Sequence, residues 1–195
     1  MVKIHNSFPA CYISVDVETA GPHPNRFALL SIGACMVNDL EQTFYLELQP
    51  DSPSYDPQAL EISGLSLATL AEDGIPAEEA MRQFDEWLST NTPLDEKPVF
   101  VAFNAVFDWM FINVYFHKYL GRNPFGHSAL DIKALYMGAT GSQWAETSYK
   151  AISQQLQSPA HLEHHALEDA RDQAILFRKI LEISKLRTDT SGKST

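Results

Sequence analysis

The chain reads as an α/β protein with a mixed central β-sheet, its first three strands antiparallel, flanked by helices. Three observations predict it. β-branched and aromatic runs follow one another closely at 11–17, 29–37 and 43–48. An apolar strand at 98–103 leads directly into an aromatic helix. The last long segment carries Leu167, Ala170, Ala174, Phe177 and Leu181 at the 3,4,3,4 spacing of a helix that buries one face. Strands first, then strand and helix in alternation, is the pattern of a layered sheet covered by helices.

Residues 11–17, CYISVDV, lie between Pro9 and the turn signals of Gly21 to Pro24, which marks a buried strand. LLSIGACMV and TFYLEL follow at hairpin distance, so an antiparallel meander is expected. From Pro50 to Pro76 the chain is rich in Pro, Asp and Ser, with a short helical patch at Pro57 to Ile62. Pro76 then opens a helix that puts Ala77, Ala80, Phe84, Trp87 and Leu88 on one side. After the strand PVFVAF, the residues Phe107, Met110, Phe111, Val114 and Tyr115 recur at helical spacing. SALDIKALYMGA and SYKAISQQL are weaker helical segments, and the final helix is expected from about Ala166 to Ser184. One domain over 1–185, with a flexible tail at 186–195 that lacks apolar periodicity, is the expected organisation.

Composition narrows the function. With 195 residues, 45% of them hydrophobic, the chain is an ordinary globular length, and no apolar run approaches a membrane span or a secretory leader. A soluble, cytoplasmic protein is expected. Cys11 and Cys35 sit in strand-like stretches and read as small buried hydrophobes in a reducing compartment. The net charge of -11 excludes a surface that coats nucleic acid broadly. That charge is regional: residues 38–98 hold 14 acids against Arg82 and Lys97, while the remainder is nearly balanced.

Within that remainder lie four carboxylates and a histidine in three separated clusters: Asp16 and Glu18, Asp108, and His164 with Asp169. Asp16 and Glu18 are two apart in a strand, so both leave the same face while Val15 and Val17 point the other way. Asp108 sits near the start of the aromatic helix, and His164 precedes the last one. Each has an ordinary explanation when taken singly: solvated acids at a strand end, or an acid favoured by a helix N-terminus. Together, several hard oxygen donors drawn from distant parts of the chain suit Mg2+ or Mn2+. Two such ions about 4 Å apart can hold a scissile phosphate, and a neutral His beside them can take the proton from a water molecule.

DVET, NAVFD and HHALEDA resemble the three motifs of the DEDDh family of 3'-to-5' exonucleases: Asp-x-Glu, then Asn-x-x-x-Asp, then His with Asp five positions later. The spacing selects His164 over His161 and His165, and Asp169 over Asp172. VDVETAG, DPQALEISGL and NPFGHSALDIKALYMG are most similar, within that family, to segments of ribonuclease T, so the resemblance runs from about 11 to 183. It implies a ribonuclease-H-like fold, two Mg2+ or Mn2+ ions on Asp16, Glu18, Asp108 and Asp169, and His164 as base. It implies release of 5'-nucleoside monophosphates from single-stranded RNA or DNA 3' ends, and a homodimer. Thr19, Ala20, Leu60, Ile62, Asn104 and Phe107 fall where the family meets the terminal nucleotide, although Asn104 also reads as a turn residue and Phe107 as core.

Pro22 and Ile62 stand where ribonuclease T has stacking aromatics, and Phe103 where many members have His. Each lost stack forfeits about 1–3 kcal/mol, so the chemistry is expected to persist and the end-sequence preference to differ. Two other readings are weaker. A zinc site from His161, His164 and His165 would leave the acids unused. An inactive nucleic-acid-binding module would be expected to lack at least one of five reactive positions, and all five are present.

Overall fold

The computed structural model describes residues 10–158 and 164–191, with side chains to 184. Five strands form one sheet in the order β3-β2-β1-β4-β5. β1 (Tyr12–Thr19), β2 (Leu29–Met36) and β3 (Asp39–Glu47) make the expected antiparallel meander, with Ile13 opposite Met36 and Ile32 opposite Leu46. β4 (Val99–Ala102) and β5 (Ala129–Asp131) add to the other edge of β1 in parallel. The sheet is therefore mixed, and the C-terminal ends of β1, β4 and β5 share one edge.

Alternation along β1 divides the molecule. Ile13, Val15 and Val17 are buried in a core shared with α3 (Ala77–Asn91) and α4 (Val106–Leu120) on one face. On the other, Cys35, Val37 and Val101 pack with α5 (Ile132–Thr140), α6 (Tyr149–Leu156) and α7 (Ala166–Ser191). Asp16 and Glu18 thus leave the sheet on the α7 side. Both cysteines are free and buried. Among the described residues no helix is long and apolar enough to cross a membrane.

Three elements differ from expectation. Leu67–Asp73 is a further helix, α2, after α1 (Pro57–Ser63): Ser66 caps it by accepting the Thr69 N–H, and only Leu70 is buried, so its apolar signal is short. β5 precedes α5 where the pattern predicted helix alone; at three residues it is too short to show alternation. α7 continues past Ser184 to Ser191, into the stretch read as a tail, because no Pro or Gly interrupts 184–191 and Gly192 comes only afterwards. Residues 192–195 lie outside the described residues.

Phe84 centres the first core, its ring 4.8 Å from that of Phe44 and 5.6 Å from that of Phe116, both stacked, and it is fully buried. Phe84→Ala is expected to cost about 3–5 kcal/mol by leaving a cavity between α3, α4 and the sheet. Urea denaturation of the two proteins measures it.

Candidate active site

Three segments distant in sequence deliver acids to the end of β1. Asp16 and Glu18 leave its α7 face. Asp108, the third residue of α4, is 4% exposed and its Oδ1 accepts the Val17 N–H at 3.2 Å, locking the start of α4 to β1. Asp169, in the first turn of α7, is 3% exposed, and its Oδ2 accepts the His164 N–H at 3.2 Å. His164 takes a left-handed backbone conformation (φ 55°), uncommon for a residue with a side chain, and turns the chain into α7 with its own side chain exposed. Ligating atoms of Glu18, His164 and Asp169 lie within 4.8 Å of one another.

The start of α7 comes this close because β2 is bare beneath it. Gly33 pairs with Asp16, and a Cβ on it would stand 2.1 Å from the carbonyl carbon of Ala166. On the far side His165 stacks on Tyr45 of β3, with ring centroids 4.5 Å apart. His165 is thereby held on Tyr45, while His164 offers its ring nitrogen to Glu18 and Asp169. Among the described residues, the group able to hold a metal contains one histidine and two acids; His161 of the zinc reading lies outside the described residues.

Two further residues hold the acids, and the motifs did not include them. Gln173 is 1% exposed; its Nε2 donates to Asp16 Oδ1 at 2.6 Å while its Oε1 accepts the Phe103 N–H at 2.8 Å. Asp131 caps α5 through the Ala134 N–H and accepts the Ala105 N–H at 2.6 Å, fixing the turn before Asp108. A polar residue four positions after Asp169, inside an apolar stripe, was the sequence signal for Gln173.

The resulting field strongly favours neutralisation. Burial, then the charges of Asp108, Glu18 and Asp169, push Asp16 well above the ordinary carboxylate range against the opposing Gln173 hydrogen bond. Burial, then Asp169 and Asp108, raise Glu18 to about 8. Burial raises Asp108 to about 8 as well, with backbone N–H donors opposing and Asp131 adding. Acids in this state are satisfied by protons or by cations, and an all-oxygen set beside one imidazole fits hard divalent ions.

The six neighbouring residues are placed as follows. Thr19 is buried and its Oγ1 donates to Gly21 O at 2.9 Å. Ala20 is fully buried; its N–H donates to Ala28 O and its carbonyl accepts from Asp56 N, which ties the start of α1 to the end of β1. On α1, Leu60 packs against the small core around Ala20 and Phe27, while Ile62 is 47% exposed. Asn104 (φ 62°) makes the turn into α4, its carbonyl accepting the Phe107 N–H at 3.0 Å. Phe107 is half-buried, 5.5 Å from Phe111.

Residues 11–181 match the family described as the 3'-5' exoribonuclease Rv2179c-like domain. The chain belongs to this family. It is 47% identical over 174 residues to the 3'-5' DNA exonuclease Cap18 of Escherichia coli, covering 89% of this chain and 93% of that one. Ribonuclease T of Shewanella denitrificans is 27% identical over 135 residues, 63% of this chain and 60% of that protein. Among solved structures, the nuclease domain of 3'hExo, a DEDDh family member bound to rAMP, superposes with a TM-score of 0.75 over 90% of this chain and 94% of that domain, at 14% identity. The ribonuclease-H-like fold implied by the motifs is the fold found, and membership of a 3'-5' exonuclease family makes the chain a nuclease-type hydrolase domain.

The packing and charge of the acid cluster have measurable consequences. Because Glu18 and Asp108 have folded values raised to about 8, above their unfolded ones, the folded protein holds more protons between roughly pH 4.5 and 8. The metal-free protein should therefore lose stability as pH rises through that window, Asp16→Asn should lessen the loss, and Mn2+ should abolish it; thermal melts with EDTA or Mn2+ across the range measure all three. Gly33→Ala should displace the first turn of α7, lowering both the melting midpoint and Mn2+ affinity, the latter read by calorimetry.

Proposed function

We propose that this domain hydrolyses phosphodiester bonds at single-stranded 3' ends, releasing 5'-nucleoside monophosphates, with Asp16, Glu18, Asp108 and Asp169 holding two Mg2+ or Mn2+ ions. The observation that carries this reading is the convergence beside His164 of carboxylates that repel one another, Asp16 and Glu18 half-buried and Asp108 and Asp169 buried. The bound ions would supply charge neutralisation of cluster and phosphate and acidify the attacking water. The chain's own groups do the rest. Gln173 and the Val17 N–H aim Asp16 and Asp108, and Asp169 fixes the backbone of His164. The exposed His164 imidazole takes the proton from water at a ring nitrogen.

For the terminal nucleotide, exposed Ile62 with Leu60 on α1, and Phe107 on α4, offer apolar contacts on either side of the acids; Thr19, Ala20 and Asn104 shape the backbone around it. Single-stranded DNA is the polymer favoured by the likeness to Cap18, a DNA exonuclease, and RNA by the family description. The resemblance to ribonuclease T extends the proposal to a homodimer, which light scattering measures, and two free buried cysteines accord with a reducing, cytoplasmic setting.

Incubation of 5'-labelled single-stranded DNA and RNA with Mg2+ should give a ladder shortening from the 3' end. Asp16→Asn should abolish it, and His164→Ala should lower kcat by about 10²–10⁴-fold, the usual contribution of a general base. Internal cuts, or full activity in Asp16→Asn, would reject the assignment; intact substrates with tight binding would leave the inactive-module reading in its place.

A further inference from the structure

The acids gather at the end of β1, the middle strand, and the two flanks of the sheet carry different charge. Toward β3, Glu47 and Glu18 line the same small cavity of about 70 Å³ together with Tyr45 and His164. That flank is anionic and repels a phosphate. Toward β5 the surface has a cation and an exposed indole. Lys133, on the first turn of α5, places Nζ 4.0 Å from the ring centre of Trp144 and 5.9 Å from that of Phe103.

This patch is tied to the acids by two hydrogen bonds. The Phe103 N–H donates to Gln173, and Gln173 donates to Asp16. Phe103 is held from behind by Tyr149, edge-on at 5.2 Å. Trp144 is 57% exposed in a molecule whose other two tryptophans are half-buried against the core. The turn that carries it is closed by a capping box, in which Glu146 accepts the Gln143 N–H at 2.8 Å across Trp144.

The cation's charge is also left uncompensated. Arg82, Lys118, Arg122 and Arg171 each pair with a carboxylate, Glu79, Asp51, Asp85 and Glu168 respectively. Among the described residues Lys133, like Arg26, Lys97, Lys150, Arg178 and Lys179, makes no ion pair with a carboxylate, and its ammonium lies over two aromatic rings beside the acids. A single strand carries a phosphate and a π-face in every nucleotide, and an unpaired ammonium beside an exposed indole meets both.

We propose that Trp144 and Lys133 form a stacking site for one nucleotide of the single-stranded substrate upstream of the scissile bond, the base on the free face of the indole and the adjacent phosphate on the ammonium. This rests on the exonuclease reading above. It adds that the strand leaves the active site over β4 and β5, and that affinity depends on substrate length even though the chain as a whole is acidic.

The test compares a dinucleotide, whose single phosphodiester is the scissile bond and which leaves no second phosphate for the ammonium, with a dodecamer of single-stranded DNA. Trp144→Ala should raise KM for the dodecamer at least about 5-fold, the low end for one lost stack, and leave kcat/KM for the dinucleotide unchanged. Trp144→Phe should restore most of the dodecamer affinity, and Lys133→Gln should reduce the slope of log affinity against log salt by about 0.7, one phosphate contact. In an Asp16→Asn background, the dodecamer should quench tryptophan fluorescence, and Trp144→Phe should remove that quenching. Equal effects on both substrates, no effect on either, or quenching that survives Trp144→Phe overturns the stacking site. Failure of the wild-type protein to shorten either substrate overturns the exonuclease reading, and the quenching measurement still decides for or against the patch.

Discussion

Carboxylates that cannot comfortably ionise together organise this molecule. Asp16, Glu18, Asp108 and Asp169 are brought within range of one another, and each raises the cost of charging another. A fold selected only for stability would separate them or pair them with lysine. Here the donors described on three of them are neutral: the Gln173 amide on Asp16, the Val17 N–H on Asp108 and the His164 N–H on Asp169. Neutral donors orient an acid without cancelling its charge, so the cluster keeps its demand for an external cation.

The framework that sustains this repulsion is correspondingly rigid. Apolar residues of β1 alternate with the acids, so each carboxylate is anchored by a neighbour buried on the opposite face, Val15 and Val17 being 0% and 5% exposed. The helix that closes the site rests directly on the backbone of Gly33, which leaves α7 little freedom to draw Asp169 away. Asp131 spans two elements by accepting one N–H from α5 and one from the turn before α4. Burial of apolar surface on both faces of the sheet offsets the electrostatic cost concentrated at its end.

How much of this was visible in the amino-acid order depends on whether the signal was local. The strands of the meander and the stripe of α7 are periodic over many residues, and the reading found them. The same holds for the acids: a spacing of two in a strand, and of five across the turn into α7, are local patterns that survive folding. β5 is three residues long and α2 buries one side chain, so neither repeats long enough to be read. Gln173 and Gly33 were hidden for a different reason. Their importance lies in contacts with residues about 130–160 positions away, Ala166 for Gly33 and Asp16 for Gln173, and only the closed structure creates those contacts. Phe107 and Asn104 carried two meanings from the start, and the structure shows the architectural one directly: Asn104 turns the chain and Phe107 leans on Phe111.

The acidity of the chain and its expected polyanionic substrate are reconciled by where the charge is placed. The acids of residues 38–98 lie on β3, α1, α2, α3 and their connections, and several neutralise cations nearby: Asp51 takes Lys118, Asp85 takes Arg122, and Glu79 takes Arg82. Such exposed pairs add little stability, but they remove cations from the surface that could otherwise attract nucleic acid non-specifically. Among the described residues a strand approaching this protein therefore finds no broad basic track to slide along. On the proposed reading, recognition is confined to the cations that the cluster would hold and to the aromatic surface beside it. An enzyme so arranged binds a free end through its site rather than an interior stretch through its surface, which is the physical requirement for cutting from a terminus.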